Sequence, residues 1–271
     1  YDGTPDHEER HWLEARGWLV REFRVTWETA VALIARGVPF TLVTNWVRNA
    51  HLQAVIGCDE RLQTFIIRDP THRTHFECLA EEHLKQQAPF GPRGMILIPP
   101  DKAGLIDGVT LPDAQLYDAW YRLRRALHGH ERDEAGRQER ELQGIDAEHR
   151  LVWWAKRELA WYDGNPFRAH EATLALRKRY PDEINLQLDE LGELRQLGHK
   201  HQHDERLRQF VVKRGADPMF WRALADELRN DARERGRALR YARRLVRTRP
   251  VDCMNLLTLA NLLWDTGRFA E

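Results

Sequence analysis

The first hundred residues alternate between short apolar stretches and polar turns, a pattern typical of a domain that combines helices with a small sheet. Apolar runs rich in β-branched and aromatic residues predict strands at 18–24, 38–46, 51–58, 62–68 and 94–98. Apolar residues three and four positions apart predict helices at 6–16, 26–36 and 74–87. The last of these would open with a capping box formed by Thr74 and Glu77. Together these elements predict an α+β half with a small, mainly antiparallel sheet.

The remainder of the chain is predicted to be helical almost throughout, beyond a cluster of proline, glycine and aspartate between Pro99 and Pro112. Turn glycines recur about every 34 residues, at Gly129, Gly164, Gly198 and, two periods later, Gly267. Prolines fall near the ends of the units, at Pro181, Pro218 and Pro250. This period with helix–turn–helix units is the signature of tetratricopeptide repeats. We therefore predict two domains, residues 1–105 and residues 113–271, the second an all-α repeat solenoid.

Two of the predicted strands, His51–Cys58 and Leu62–Arg68, are joined by a short polar turn and predict a hairpin. A turn centred on Glu60 places His51 directly opposite Asp69. Opposed side chains in an antiparallel pair have Cβ atoms roughly 4.5–5.5 Å apart, close enough for an imidazole to donate a hydrogen bond to a carboxylate. A histidine oriented by an aspartate is half of a nucleophilic triad. The alternative is a buried polar pair, or two unrelated residues at strand ends.

Three strings follow one another in this half: GVPF at residues 37–40, HLQAVIG at 51–57 and FIIRDP at 65–70. In order and spacing they resemble the bacteriocin-processing type of cysteine peptidase, a papain-like family. The resemblance implies a papain-like fold, with His51 as the general base and Asp69 as the residue that orients it. In that family the nucleophilic cysteine opens a helix well upstream of the first string, and a glutamine shortly before it helps form the oxyanion hole.

The chain opens with YDGT, which resembles the region that follows the catalytic helix of that family. We therefore expect the nucleophile to lie upstream of this chain, or the domain to be a relic that has none.

The three cysteines of the chain, Cys58, Cys78 and Cys253, do not fit the role of nucleophile. Cys58 lies seven residues along the strand from His51, which is about 23 Å, and the odd separation places it on the other face of the sheet. Cys78 and Cys253 are more simply buried thiols. Three cysteines without metal-like spacing predict neither disulfides nor zinc, and they fit a reducing, cytoplasmic compartment.

The chain has 271 residues, with 42 basic and 42 acidic side chains, so its net charge draws it neither to nucleic acid nor to a membrane. His199 and His203 stand four apart, as a metal-binding pair on a helix would, but no third ligand is evident. The arginine-rich segment 233–250 reads as a solvated outer face. His72, His75 and His83 near the hairpin read as ordinary surface or helix histidines. We predict no metal, no cofactor and no nucleic-acid partner.

Together with the cysteine content, the resemblance implies a bacterial, cytoplasmic cysteine peptidase module in which His51 and Asp69 serve a nucleophile outside the chain. The helical repeats would bind a protein or peptide on their concave face, an analogy that rests on fold. The alternative is a catalytically inactive peptidase-like fold that acts as an interaction scaffold. A third reading is an acyl or amide transferase that uses the same triad.

Overall fold

The computed structural model describes residues 5–47, 49–213 and 215–269, so the YDGT opening lies outside the described residues. The described strands are β1 (Leu19–Arg24), β2 (Phe40–Trp46), β3 (Asn49–Asp59), β4 (Thr64–Arg68), β5 (Phe76–Leu79) and β6 (Arg93–Ile98). The helices before and between the strands are α1 (Asp6–Glu14), α2 (Trp27–Ile34) and α3 (Ala80–Gln86). A 3₁₀ helix covers Pro100–Ile106. The helices that follow are α4 (Ala114–His128), α5 (Arg132–Ile145), α6 (Arg150–Tyr162), α7 (Pro166–Arg179), α8 (Ile184–Gln196), α9 (Lys200–Val212), α10 (Pro218–Arg229), α11 (Arg235–Thr248) and α12 (Cys253–Asp265).

The strands form one sheet in the order β1-β6-β2-β3-β4-β5, and every pair of neighbours is antiparallel. The last strand, β6, lies between β1 and β2, whereas β2 to β5 follow one another as hairpins. This agrees with the predicted layout of a small antiparallel sheet followed by a run of helices.

The core of the sheet lies on one face, where Phe23, Leu42, Val55, Phe65 and Ile96 are fully buried. Ala30 and Leu33 of α2 complete this core. Because side chains alternate along a strand, Glu22 of β1 points to the opposite face. There it meets Arg10 of α1, which also contacts Asp118 of α4. The two faces are therefore covered by different helices.

The predicted helix at 74–87 is wrong in its first part. Residues 76–79 form β5, which pairs with β4, and α3 begins only at Ala80. The side chain of Glu77 does not cap a helix; its Oε2 accepts a hydrogen bond of 3.0 Å from the hydroxyl of Thr64. The open edge of β4 offers backbone partners to this segment, and such tertiary pairing outweighs a local capping signal.

The predicted register of the hairpin is also wrong. A turn centred on Glu60 would set Val55 opposite Phe65, whereas the observed partner of Phe65 is Cys58. A β-bulge between Val55 and Gly57 then shifts the pairing, so that Val55 faces Ile67. The bulge also turns Cys58 toward the core that contains Val55, so its predicted place on the other face is wrong.

In the helical part, successive helices pack on each other: α4 on α5, α6 on α7, α10 on α11, and α11 on α12. Gly164, Gly198 and Gly267 have positive φ at helix ends, as turn glycines of a repeat should. The first turn differs, because His130 takes the left-handed conformation there and Gly129 does not. The assignment to tetratricopeptide repeats stays a prediction.

The chain divides into two compact units, one ending at Asn185 and the other beginning at Leu186. The first unit contains the sheet and α1 to α7, with α4 packed against β1. The domain division predicted between residues 105 and 113 stays a prediction. In the described part of the chain, no helix is both long and apolar enough to cross a bilayer.

Candidate functional site

His51 and Asp69 meet at the rim of the sheet, on the face that carries the core. His51 belongs to β3 and pairs with Thr44 of β2, while Asp69 directly follows β4. The distance between His51 Nε2 and Asp69 Oδ2 is 2.9 Å. The structure therefore brings together the two residues that the hairpin prediction singled out.

The contact is diagonal and not directly across the ladder. Past the bulge, Ala54 pairs with Arg68, so the position opposite Asp69 belongs to Gln53. His51 precedes Gln53 by two residues in β3. Because side chains alternate along a strand, the two lie on the same face. Diagonal neighbours are within reach of long or aromatic side chains. An imidazole on this side of β3 can therefore reach the carboxylate despite the error in the predicted register.

The Asp69 carboxylate accepts four hydrogen bonds and is only 2% exposed. Oδ1 accepts from the backbone N–H and the hydroxyl of Thr71, at 2.7 and 2.5 Å. Oδ2 accepts from Gln53 Nε2 at 2.7 Å and faces His51 Nε2. The hydrogen bonds from the Thr71 hydroxyl, from Gln53 and from His51 lower the pKa of Asp69 well below its ordinary value, against the opposing effect of burial. A charged carboxylate can only accept, so His51 Nε2 is the donor in this contact.

Gln53 links the acid to the rest of the sheet. Its side chain is buried, and its Oε1 accepts a hydrogen bond of 2.9 Å from the hydroxyl of Thr44. Both ends of this amide are thereby used, which fixes its orientation and that of Asp69. The sequence analysis did not single out Gln53, Thr44 or Thr71. For Gln53 a signal was available: it is a polar residue on an apolar strand, two positions after His51, and the alternation of side chains places both on the same face.

The other side of the imidazole is less enclosed. Its ring stacks on Trp46 with centroids 5.9 Å apart and an angle of 23° between the planes. The His51 side chain is 21% exposed. Among the described residues no hydrogen-bond partner contacts His51 Nδ1. The arrangement leaves one ring nitrogen donating to Asp69 and the other accessible for proton transfer.

Neither Cys58 nor Cys78 has the surroundings of a nucleophilic cysteine. Burial raises the pKa of Cys58 to about 11, and burial also raises the pKa of Cys78. A nucleophilic cysteine needs the opposite shift, because the thiolate is the reactive form. The prediction that Cys253 is a buried thiol is wrong, because it is exposed on α12.

The three histidines near the hairpin have different surroundings. His72 is exposed, and its Nδ1 lies 3.0 Å from the Thr71 hydroxyl and 3.8 Å from Asp69 Oδ1. His75 is exposed, whereas burial lowers the pKa of His83 on α3. Of these three histidines only His72 approaches Asp69, and it approaches Oδ1, whereas His51 contacts Oδ2.

Comparison of the sequence with protein-family models and with curated proteins finds no match.

Proposed function

We propose that His51 and Asp69 are the general base and orienting residue of a papain-like cysteine peptidase. The observation that carries this proposal is the 2.9 Å contact between His51 Nε2 and the buried carboxylate of Asp69. A carboxylate in this place selects the tautomer that leaves Nδ1 free to accept a proton. The nucleophile that this proposal requires is a cysteine of the full-length protein other than Cys58, Cys78 and Cys253.

In the proposed reaction, the thiol proton passes to His51 Nδ1 and the thiolate attacks the peptide carbonyl carbon. When the tetrahedral intermediate collapses, the C–N bond breaks and His51 returns the proton to the leaving amine. The resulting thioester is hydrolysed by a water that His51 deprotonates; the C–S bond then breaks and His51 returns the proton to the thiolate. Asp69 stays charged throughout and stabilises the imidazolium that forms in each half of the reaction.

The helices would supply the binding surface for a protein or peptide. A groove of about 500 Å³ is lined by residues of α5, α6 and α7. Its wall includes Trp153, whose ring lies 4.2 Å from Lys156 Nζ, and the ion pair of Arg132 with Asp163 at 2.6 Å. An aromatic ring beside charges of both signs suits a peptide with mixed side chains. Binding by tetratricopeptide-type repeats is part of the proposal.

A second candidate function is an interaction scaffold with a peptidase-like fold and no catalysis. The observation that favours it is that burial raises the pKa of both Cys58 and Cys78, which suits inert thiols. A transferase would use the same pair and differ only in the acceptor of the acyl group.

The decisive experiment is alkylation of the full-length protein with an iodoacetamide probe, followed by mass spectrometry of the labelled peptide. We expect one cysteine outside the present chain to react rapidly below pH ~7, because pairing with an imidazolium lowers a thiol pKa. In His51→Ala that labelling should slow, and peptide turnover should fall by ~10²–10⁴-fold. Asp69→Asn should reduce both in the same direction.

The matched control is His75→Ala, an exposed histidine just beyond the same hairpin. It should label and turn over like the wild type, and circular dichroism should show that all three variants are folded. A fast-reacting cysteine whose labelling is the same in His51→Ala would refute the assignment of His51. If no cysteine reacts rapidly in the full-length protein, the scaffold is the function that remains.

A further inference from the structure

A cluster of metal-ligating side chains lies away from the His51–Asp69 pair, where α1 packs on α4. It consists of His7 and Glu8 near the start of α1 and His128 at the end of α4. One potential ligand atom from each side chain lies within 4.8 Å of the other two. In the described ranges of the chain, this is the one group of three or more histidine, cysteine or carboxylate side chains that meets this criterion.

We propose that His7, Glu8 and His128 bind a divalent transition-metal ion, with zinc as the best match. Two imidazoles and one carboxylate are a common zinc donor set, and three protein ligands leave a fourth position for solvent. Calcium and magnesium prefer oxygen ligands, so two nitrogens argue against them. The proposal concerns a site that the reaction at His51 does not use.

The distances are close to those that a tetrahedral ion requires. Glu8 Oε1 lies 3.7 Å from Nε2 of His7 and 3.7 Å from Nε2 of His128. Ligand atoms held ~2.0–2.1 Å from zinc are about 3.3–3.4 Å apart in a tetrahedron. The two imidazole rings meet edge to face, with centroids 5.4 Å apart. Small side-chain rotations would therefore complete the geometry without movement of either helix.

The two helices that carry the ligands are held together by other contacts. Arg10 of α1 is buried and donates to Asp118 of α4 at 2.6 Å. Tyr121 of α4 donates in turn to Glu14 of α1 at 3.0 Å. His7 itself is only 6% exposed. A site whose supporting elements are already ordered loses little conformational entropy when it binds an ion.

Arg125 is the side chain that a metal ion must compete with. Its Nη1 lies 2.7 Å from Glu8 Oε1, the same oxygen that faces both histidines. A guanidinium at this place repels a divalent cation and occupies a lone pair of the carboxylate. Removal of the guanidinium should therefore tighten metal binding, whereas removal of a ligand should weaken it. This opposite response separates a metal site from an ordinary ion-pair cluster.

The experiment is a titration of the full chain with Co²⁺ and with Zn²⁺, followed by visible absorption for cobalt and calorimetry for zinc. We expect one ion per chain and a tetrahedral cobalt spectrum. Loss of a residue that only hydrogen-bonds to a metal ligand costs ~10–100-fold in metal affinity. His128 and Glu8 are ligands themselves, so His128→Ala and Glu8→Gln should each raise the Kd by at least ~100-fold. Arg125→Gln should lower the Kd. Zinc at a hundredfold excess over its Kd should raise the Tm of the first unit by roughly 5–10 °C.

His11→Ala is the matched control, because His11 is an exposed histidine one turn further along α1. Its Kd should equal that of the wild type. His128 is exposed, so its replacement tests the ligand role without the risk of unfolding that attends the buried His7. The proposal is overturned if the wild type binds neither ion stoichiometrically. It is also overturned if His128→Ala binds as tightly as the wild type, which would locate the ion elsewhere, for example at His199 and His203.

Discussion

Asp69 combines burial with a charge, and its stability contribution must therefore depend on pH. Hydrogen bonds from Thr71, Gln53 and His51 lower its pKa below the ordinary value of 3.8. A carboxyl whose pKa is lower in the folded state stabilises that state at pH values above its unfolded pKa, and the contribution is lost as pH falls. We expect Asp69→Asn to be less stable than the wild type at pH 7. The difference should shrink as pH drops below about 5 toward the acid limit.

Urea unfolding of both proteins at several pH values measures this difference directly. Asp101→Asn serves as the comparison, since Asp101 is an exposed carboxylate of the 3₁₀ helix. Its difference from the wild type should be small at every pH. A gap between Asp69→Asn and the wild type that is the same at pH 7 and at pH 3 would contradict the hydrogen-bonded, charged state of Asp69.

The sequence predicts the pairing of His51 with Asp69, although the strand register differs from the predicted one. The offset from the predicted register is three residues at Phe65, which is odd and would turn His51 away from the acid. The bulge reduces the offset to two residues at Ile67, which restores the face. Bulges and the partners of a buried carboxylate depend on packing that a single sequence does not display, so Gln53 and Thr71 were missed.

Arg10 is a buried cation of helix α1 that contacts other elements of its unit. Its guanidinium contacts Glu22 of β1 at 3.4 Å, Asp118 of α4 at 2.6 Å and Glu14 of α1 at 2.9 Å. The residue is only 3% exposed, and Glu22 is equally buried. When one partner of a buried ion pair is removed, the remaining charge is left uncompensated, at a cost of ~3–5 kcal/mol. Because Arg93 Nη1 also lies 3.4 Å from Glu22 Oε2 and remains in the variant, we expect Arg10→Met to lower the free energy of unfolding by an amount near the lower end of that range, ~3 kcal/mol.

Equilibrium urea unfolding at neutral pH is the measurement, with Arg16→Met as its control. Arg16 is an exposed arginine just after the same helix, stacked 3.6 Å from the centroid of the Trp12 ring. Its loss should change the free energy of unfolding by less than ~1 kcal/mol. If both variants unfold at the same urea concentration, the Arg10 contacts do not hold α1 in place.

The elements themselves were largely predictable, since the apolar periods of β1 to β4 and of α1 and α2 agree with the strands and helices observed. Thr26 caps α2 as its position suggests, with its side chain accepting from the backbone of Thr29. The exception is β5. Thr74 and Glu77 predict the start of a helix there, but the segment pairs with the edge of β4 instead. Local propensity decides a segment only where no neighbouring edge is available to it.

Across the whole molecule, the recurrence of glycine predicted helix pairs, and the turns at Gly164 and Gly267 bear the positive φ that glycine permits. The sequence did not predict that the compact units would divide at Asn185. A change in composition near Pro99 marks the end of the strands, but α4 packs against β1 of the sheet. Compactness depends on such contacts between distant segments, which a shift in composition does not reveal.

The second unit has a core of its own, in which Leu262 of α12 is fully buried. It packs with Ala225 of α10 and with Ala238, Leu239 and Ala242 of α11. Leu262→Ala would remove most of a fully buried side chain and leave a cavity, at a cost of ~2–5 kcal/mol. Hydrogen exchange of the backbone amides is the measurement, because it reports stability segment by segment. We expect faster exchange throughout α10 to α12, while the amides of β3 and β4 keep their wild-type rates and serve as the internal control.

Leu256→Ala, at an exposed position of the same helix, should leave both sets of rates unchanged. Equal acceleration in β3 and β4 would mean that the two units open together, and no change in α10 to α12 would mean that Leu262 is not part of their core.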